Sequence, residues 1–118
     1  MHTYEKIYIK VRQTIRAVKL ESILYMEKQG RQIIIHVAEG ESICFYGKFD
    51  SVTPMLDGRF VQPHESYVIN MQQIVRLGRQ EVVMSGGDSI VMGSRCFRQL
   101  RKAYDEYIAE YIRKRPPT

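Results

Sequence analysis

Residues 60–77 read FVQPHESYVINMQQIVRL. Phe60 and Val61 begin an extended run, and Tyr67-Val68-Ile69 and Ile74-Val75 continue in the aromatic and β-branched residues that suit a pleated, half-buried surface. Between them Pro63 leads into a polar group, His64, Glu65, Ser66 and Tyr67. An extended run interrupted by a polar cluster is the simplest reading. The polar group then needs something outside the core to touch.

Upstream, the period of two recurs. KIYIKVR (6–12) alternates Ile7, Ile9 and Val11 with Tyr8, Lys10 and Arg12, and TIRAVKL (14–20) is compatible with a strand returning from it. SILYMEK (22–28), RQIIIHV (31–37) and ESICFYG (41–47) follow, broken at Gly30 and at AEGE (38–41), where Gly40 suits a hairpin turn. In KFDSVTPML (48–56) the spacing of Phe49, Val52 and Leu56 predicts a short helix starting near Ser51 or Val52, so that Pro54 falls in its first turn.

Downstream, strands are predicted at 73–78, 80–85 and 89–93, the last two joined by a tight turn at Gly86–Asp88. SRCFRQLRKAYDEYIAEYIRKR (94–115) places Phe97, Leu100, Tyr104, Tyr107, Ile108 and Tyr111 at helical spacing. Ser94 is its expected N-cap, Arg113 to Arg115 suit its negative end, and Pro116 and Pro117 stop it. The aromatic stripe reads as core or as a docking face.

Composition bounds the answer. With 118 residues, 44% of them hydrophobic and 26% charged, the chain is expected to be a single domain, with a core over about 7–104 and the final helix over about 95–114. No apolar run approaches the roughly 18 residues of a membrane span, and the start, MHTYEKIYIK, lacks the pattern of a secretory signal. Cys44 and Cys96 are expected as free thiols in a reducing cytoplasm. The net charge is +5; residues 1–58 hold eight Lys and Arg against seven Asp and Glu, and residues 59–118 hold ten against six. A basic second half suits a polyanion, nucleic acid before membrane, although a solvated basic surface accounts for the charge equally well.

Enzymatic readings fail on geometry. His64, Glu65 and Ser66 are adjacent in an extended segment, so their side chains alternate and cannot relay a proton in line. His2, His36 and His64 show no ligand spacing with each other or with the cysteines, and SGGDS lacks the Gly-Lys-Ser/Thr of a phosphate loop. No metal and no cofactor is expected.

The stretch RFVQPHESYVINMQQIVRL (59–77) resembles the signature of LytTR-type DNA-binding domains, a strand leading into His-x-Ser-Tyr/Phe-x-x-Asn and then an apolar strand, with His64, Ser66, Tyr67, Asn70 and Ile74 at those positions. ESILYMEKQGRQIIIHV (21–37) is similar to the family's early strand pair, GKFDSVTPMLDGRF (47–60) to its short helix, and VMGSRCFRQLRKAY (91–104) to its late Ser-Arg before the final helix. The likeness runs in order from about Ile7 to Leu100.

The resemblance implies a mostly β fold of packed short antiparallel sheets with one short middle helix and a C-terminal helix. It also implies sequence-specific binding of double-stranded DNA as a transcription regulator, with loops at one edge of the sheets entering successive major grooves. The usual setting is the output domain of a bacterial two-component response regulator, with a receiver domain in the full-length protein and two copies on repeated half-sites. Carried over by position, Arg31, Glu65 and Arg95 fall where bases are read. Lys28, Gln29, Gln32, His64, Ser66, Ser94 and Arg98 fall at phosphate or loop contacts, and Tyr67 and Asn70 structure the loops.

Physical chemistry supports the roles separately. Arg31 and Arg95 can each bond guanine O6 and N7, worth roughly 1–3 kcal/mol of discrimination. Each has a plainer alternative, Arg31 solvating a hairpin and Arg95 pairing with an acidic neighbour. Glu65 departs from the family, which commonly has Arg or a neutral amide there. It accepts from cytosine N4, turns to an arginine such as Arg59 or Arg95, or marks a domain that has lost DNA binding. A LytTR-like module that instead docks a protein through Tyr104, Tyr107 and Tyr111 is the rival reading, decided by whether that stripe is exposed. Single-stranded RNA binding finds too few exposed sheet aromatics in Tyr8 and Tyr25.

Overall fold

The computed structural model describes residues 5–114. Arg115, Pro116 and Pro117, expected to close the helix, and His2 lie outside the described residues.

Three antiparallel sheets stack on one another. A hairpin of β1 (Lys6–Val11) and β2 (Thr14–Lys19) covers one face of a five-stranded sheet in the order β5-β4-β3-β7-β6. Its members are β3 (Ile23–Gln29), β4 (Gln32–Val37), β5 (Ser42–Tyr46), β6 (Phe60–His64) and β7 (Tyr67–Asn70). A three-stranded sheet of β8 (Ile74–Gly78), β9 (Glu81–Met84) and β10 (Ser89–Val91), together with helix α1 (Ser94–Lys114), packs on the other face. Each predicted strand starts or ends within two residues of one of these bounds; β7 has no counterpart among the predicted strands, and residues 71–73 after it form a tight helical turn.

The middle layer explains the two densest apolar runs. In Ile23-Leu24-Tyr25-Met26 all four residues are buried, Ile23 and Met26 beneath the β1–β2 hairpin and Leu24 and Tyr25 against the three-stranded sheet. A bulge between Ile23 and Tyr25 breaks the strict alternation. Val68 and Ile69 divide between the same two cores. A strand covered on both faces needs continuous hydrophobicity, and each fully buried side chain such as Met26 or Ile69 contributes about 1.5–3 kcal/mol.

One predicted detail comes out differently. The middle helix is a pair of 3-10 turns, Phe49–Ser51 and Thr53–Met55, closed by i to i+3 bonds such as Val52 N–H to the Phe49 carbonyl at 2.9 Å. Pro54 has no N–H to continue a longer ladder, so Phe49 and Val52 reach the core from tight turns instead. Pro63, which leads into the polar group, lies inside β6, buried at a bulge between Val61 and His64, in a strand at the edge of the sheet where one missing donor is tolerated.

Candidate nucleic-acid interface

Two hairpin tips share one end of the five-stranded sheet. The β3–β4 turn is Gln29-Gly30-Arg31-Gln32, with Gly30 at φ 61° supplying the left-handed residue. Lys28, Gln29 and Arg31 are exposed and Gln32 is half-buried. The β6–β7 turn brings Glu65 and Ser66 beside it, because Glu27 pairs with Tyr67 and the Lys28 N–H donates to the Ser66 carbonyl at 2.8 Å. Tyr46, 77% exposed and paired with Gln32, stands at the same end, where Gly47 N–H donates to the Arg31 carbonyl.

Inside the second tip, the Ser66 amide donates to His64 Nδ1 at 3.0 Å. A neutral imidazole accepting at Nδ1 carries its proton on Nε2, which is left as a donor. The Tyr67 ring lies 6.0 Å from that imidazole and packs on the core beneath, with Cys96 and Phe97 of α1 in the same cluster. Asn70 is fully buried: Nδ2 donates to the carbonyls of Ile23 at 2.7 Å and Leu20 at 3.3 Å, and Oδ1 accepts from Gln72 N–H at 3.0 Å. One amide therefore fixes where β3 begins relative to where β7 ends.

The third element is the start of α1. Ser94 is the first helical residue rather than a cap: the first helical bond runs from Phe97 N–H to the Gly93 carbonyl at 2.9 Å, and Ser94 Oγ accepts from Gln80 Nε2 at 2.9 Å. The hydroxyl proton of Ser94 stays available to an external acceptor. Arg95 and Arg98 are exposed.

Arginine pairing separates this rim from the rest of the surface. Arg16, Arg59, Arg76, Arg101 and Arg113 each hold a carboxylate: Glu41, Asp57, Glu81, Asp105 and Glu110. Arg12, Arg31, Arg79, Arg95 and Arg98 have no carboxylate within 4.0 Å among the described residues, and of these only Arg12 lies away from the tips just described and the turn joined to Ser94. Glu65 is exposed and likewise holds no cation among the described residues. Neither arginine considered for it is its partner, and Arg59 is bound to both oxygens of Asp57 and to Gln72. Gln29 turns its amide onto Glu27.

Sequence reasoning missed the β8–β9 turn. Arg79 (φ 55°) and Gln80 (φ 63°) are its two central residues, both left-handed, where Asn-Gly is the relaxed choice and other residues cost roughly 1–2 kcal/mol each. The available signal was a two-residue gap between the strands with no glycine in it. Tyr46 was missed because its alternation marked it only as the outer face of a strand.

The aromatic stripe of α1 divides along its length. Phe97, Leu100, Ala103, Tyr104 and Tyr107 pack on the domain, whereas Tyr111 and Ile112 are each 63% exposed. Burial is the main cause that raises the Tyr107 hydroxyl above its ordinary pKa of 10.0. A groove of about 690 Å³ runs beside this half of the helix, floored by Phe60, Val61 and Met71 and rimmed by Glu106 and Glu110. No described helix is long and apolar enough to cross a membrane.

Residues 13–105 match the family described as the LytTr DNA-binding domain. The chain belongs to that family. Among solved structures, the LytTr domain is similar to the LytTr DNA-binding domain of a Bacillus cereus protein described as a methyl-accepting/DNA response regulator: TM-score 0.66, 14% identity, covering 84% of this chain and 95% of that one. At that identity the likeness carries the fold, a mostly β architecture of small antiparallel sheets with a C-terminal helix. No protein with a curated description matches the chain. The LytTr family is one of DNA binding rather than catalysis.

Proposed function

We propose that this LytTr domain acts as one unit that reads double-stranded DNA by sequence, as the output part of a two-component response regulator working in the cytoplasm with a receiver domain elsewhere in the full-length protein. The single observation that carries the reading is the grouping of unpaired arginines. An arginine already bound to a carboxylate is neutralised in place, while Arg31, Arg95 and Arg98 keep their charge and fork of donors for a partner.

On this reading Arg31, Glu65 and Arg95 meet base edges in successive major grooves, the arginines at guanine and Glu65 at cytosine N4. Lys28, Gln32, His64 through Nε2, Ser66, Ser94 through its free proton, and Arg98 hold phosphates and set the register; Gln29 contributes once it releases Glu27. Two copies occupy tandem half-sites about one helical turn apart.

The deciding experiment is fluorescence anisotropy of a labelled mixed-sequence duplex across a salt series, with the wild-type chain and Arg95→Ala. Salt-dependent binding by wild type, with the variant weakened most on preferred sequences, supports the reading; no binding by wild type at low salt ends it. A second reading, a protein-docking module, draws on Tyr111 and Ile112 exposed beside the groove. In that case α1 truncated after Tyr107 loses its partner and keeps its fold.

A further inference from the structure

The β8–β9 turn has a geometry its own stability does not call for. Two left-handed positions in a two-residue hairpin are relaxed by Asn-Gly, yet this chain places an arginine and a glutamine there. Gln80 shows what its side chain is for. Its carbonyl accepts from Met92 N–H at 2.9 Å, and Nε2 donates to the Met92 carbonyl at 3.4 Å and to Ser94 Oγ at 2.9 Å. The turn is therefore clasped to the segment that ends β10 and begins α1, one residue before Arg95.

Arg79 has no such internal account. It is exposed, and its side chain makes no hydrogen bond and no ion pair among the described residues, although Arg76 on the same hairpin is held by Glu81 at 3.0 Å. It adjoins the residue that grips Ser94. The turn's backbone is held there, so Arg79 brings an unpaired guanidinium to the segment that leads into Arg95 and Arg98.

We infer that Arg79 is a further DNA contact, a phosphate clamp flanking the base-reading Arg95, and that Gln80 is a positioning residue that holds Ser94 and Arg95 in reading geometry. This rests on the DNA-reading function proposed above and adds to it a fourth element, supplied by the small sheet. Glycine or asparagine at these positions would relax the turn but lose the clamp and the clasp.

Arg79→Gly and Gln80→Gly both suit the left-handed conformation, so neither is expected to lower the thermal midpoint. With a labelled 30-base-pair mixed-sequence duplex, Arg79→Gly should weaken binding about tenfold at low salt, equally for every sequence, and make the slope of log K against log salt shallower by about 0.9. Arg79→Lys should restore most of that slope. Gln80→Gly should keep the slope and lose about tenfold in discrimination between a duplex selected by the wild-type chain from a random pool and its scrambled counterpart.

An unchanged slope in Arg79→Gly overturns the clamp, and a loss confined to particular sequences overturns its assignment to phosphate. Full discrimination in Gln80→Gly overturns the positioning role. If wild type binds and Arg95→Ala is impaired while both turn variants behave as wild type, only this inference fails. If wild type itself does not bind, the DNA-reading function falls and this inference with it.

Discussion

Arg59 and Arg95 carry the same side chain to opposite ends. At the corner where β6 begins, Arg59 is held through Nε and Nη2 by Asp57 and through Nη1 by Gln72, and its own carbonyl accepts from Met71 N–H at 2.7 Å. Asn70 locks the same corner from inside. At the start of α1, Arg95 stands exposed without a carboxylate among the described residues. Donors satisfied within the protein stabilise a shape. Donors left open on a rigid support are where a partner completes the bonding.

That contrast breaks first at Asn70. Replacing it with Ala strips partners from two buried carbonyls and one N–H, and urea denaturation should show a loss on the order of 3 kcal/mol. If stability hardly moved, the corner would not be the structural pole of the comparison. Arg95→Ala should do the converse, losing roughly 5- to 150-fold in preference for a selected duplex while changing stability by less than about 0.5 kcal/mol.

Arg59→Ala sharpens the difference, because its pair with Asp57 is only about one-fifth exposed. It should cost about 1 kcal/mol in stability and leave sequence preference intact. Glu65→Arg tests the rim's sign: the preference for cytosine at its base should be lost, while replacing a carboxylate that faces the duplex with a cation should raise affinity and steepen the salt slope. An unchanged slope would remove Glu65 from the DNA surface.

The smallest effect lies away from the rim, at Tyr25, whose hydroxyl donates to Asp88 at 3.1 Å. Burial, then the nearby Asp88 carboxylate and the bond to it, raise its pKa above the ordinary 10.0. A raised folded-state value means the contribution is fully present below pH 10 and is lost as pH climbs beyond it. Tyr25→Phe should flatten that alkaline fall in melting temperature without altering DNA binding at neutral pH.

The strands were legible because their period is local: Ile7 and Ile9, or Ile33 and Ile35, announce a buried face within a few residues. The continuous apolar run at 23–26 likewise marks a strand covered on both sides, whereas β7, four residues directly after the polar cluster, has no counterpart among the predicted strands. The 49–55 segment misled because helical spacing and paired 3-10 turns put nearly the same residues inward, and only the missing N–H of Pro54 separates them. Ser94 misled because its partner, Gln80, is 14 residues away. The state of each arginine was illegible for the same reason: Arg16 finds Glu41 across 25 residues, and nothing near either one announces it. Resemblance pointed to the rim residues, but not to which cations were already taken.

Pro63 has a consequence for how the chain behaves in concentrated solution. A sheet edge with a full row of free N–H and carbonyl groups is a template for another chain to add to, and self-association by that route is a common path to precipitation. On β6 the row is interrupted by a residue with no N–H, at a bulge that bends the strand away from flatness. Strand addition is disfavoured on the very side that carries the His64–Ser66 tip, which leaves that edge of the sheet a poor template for a second chain.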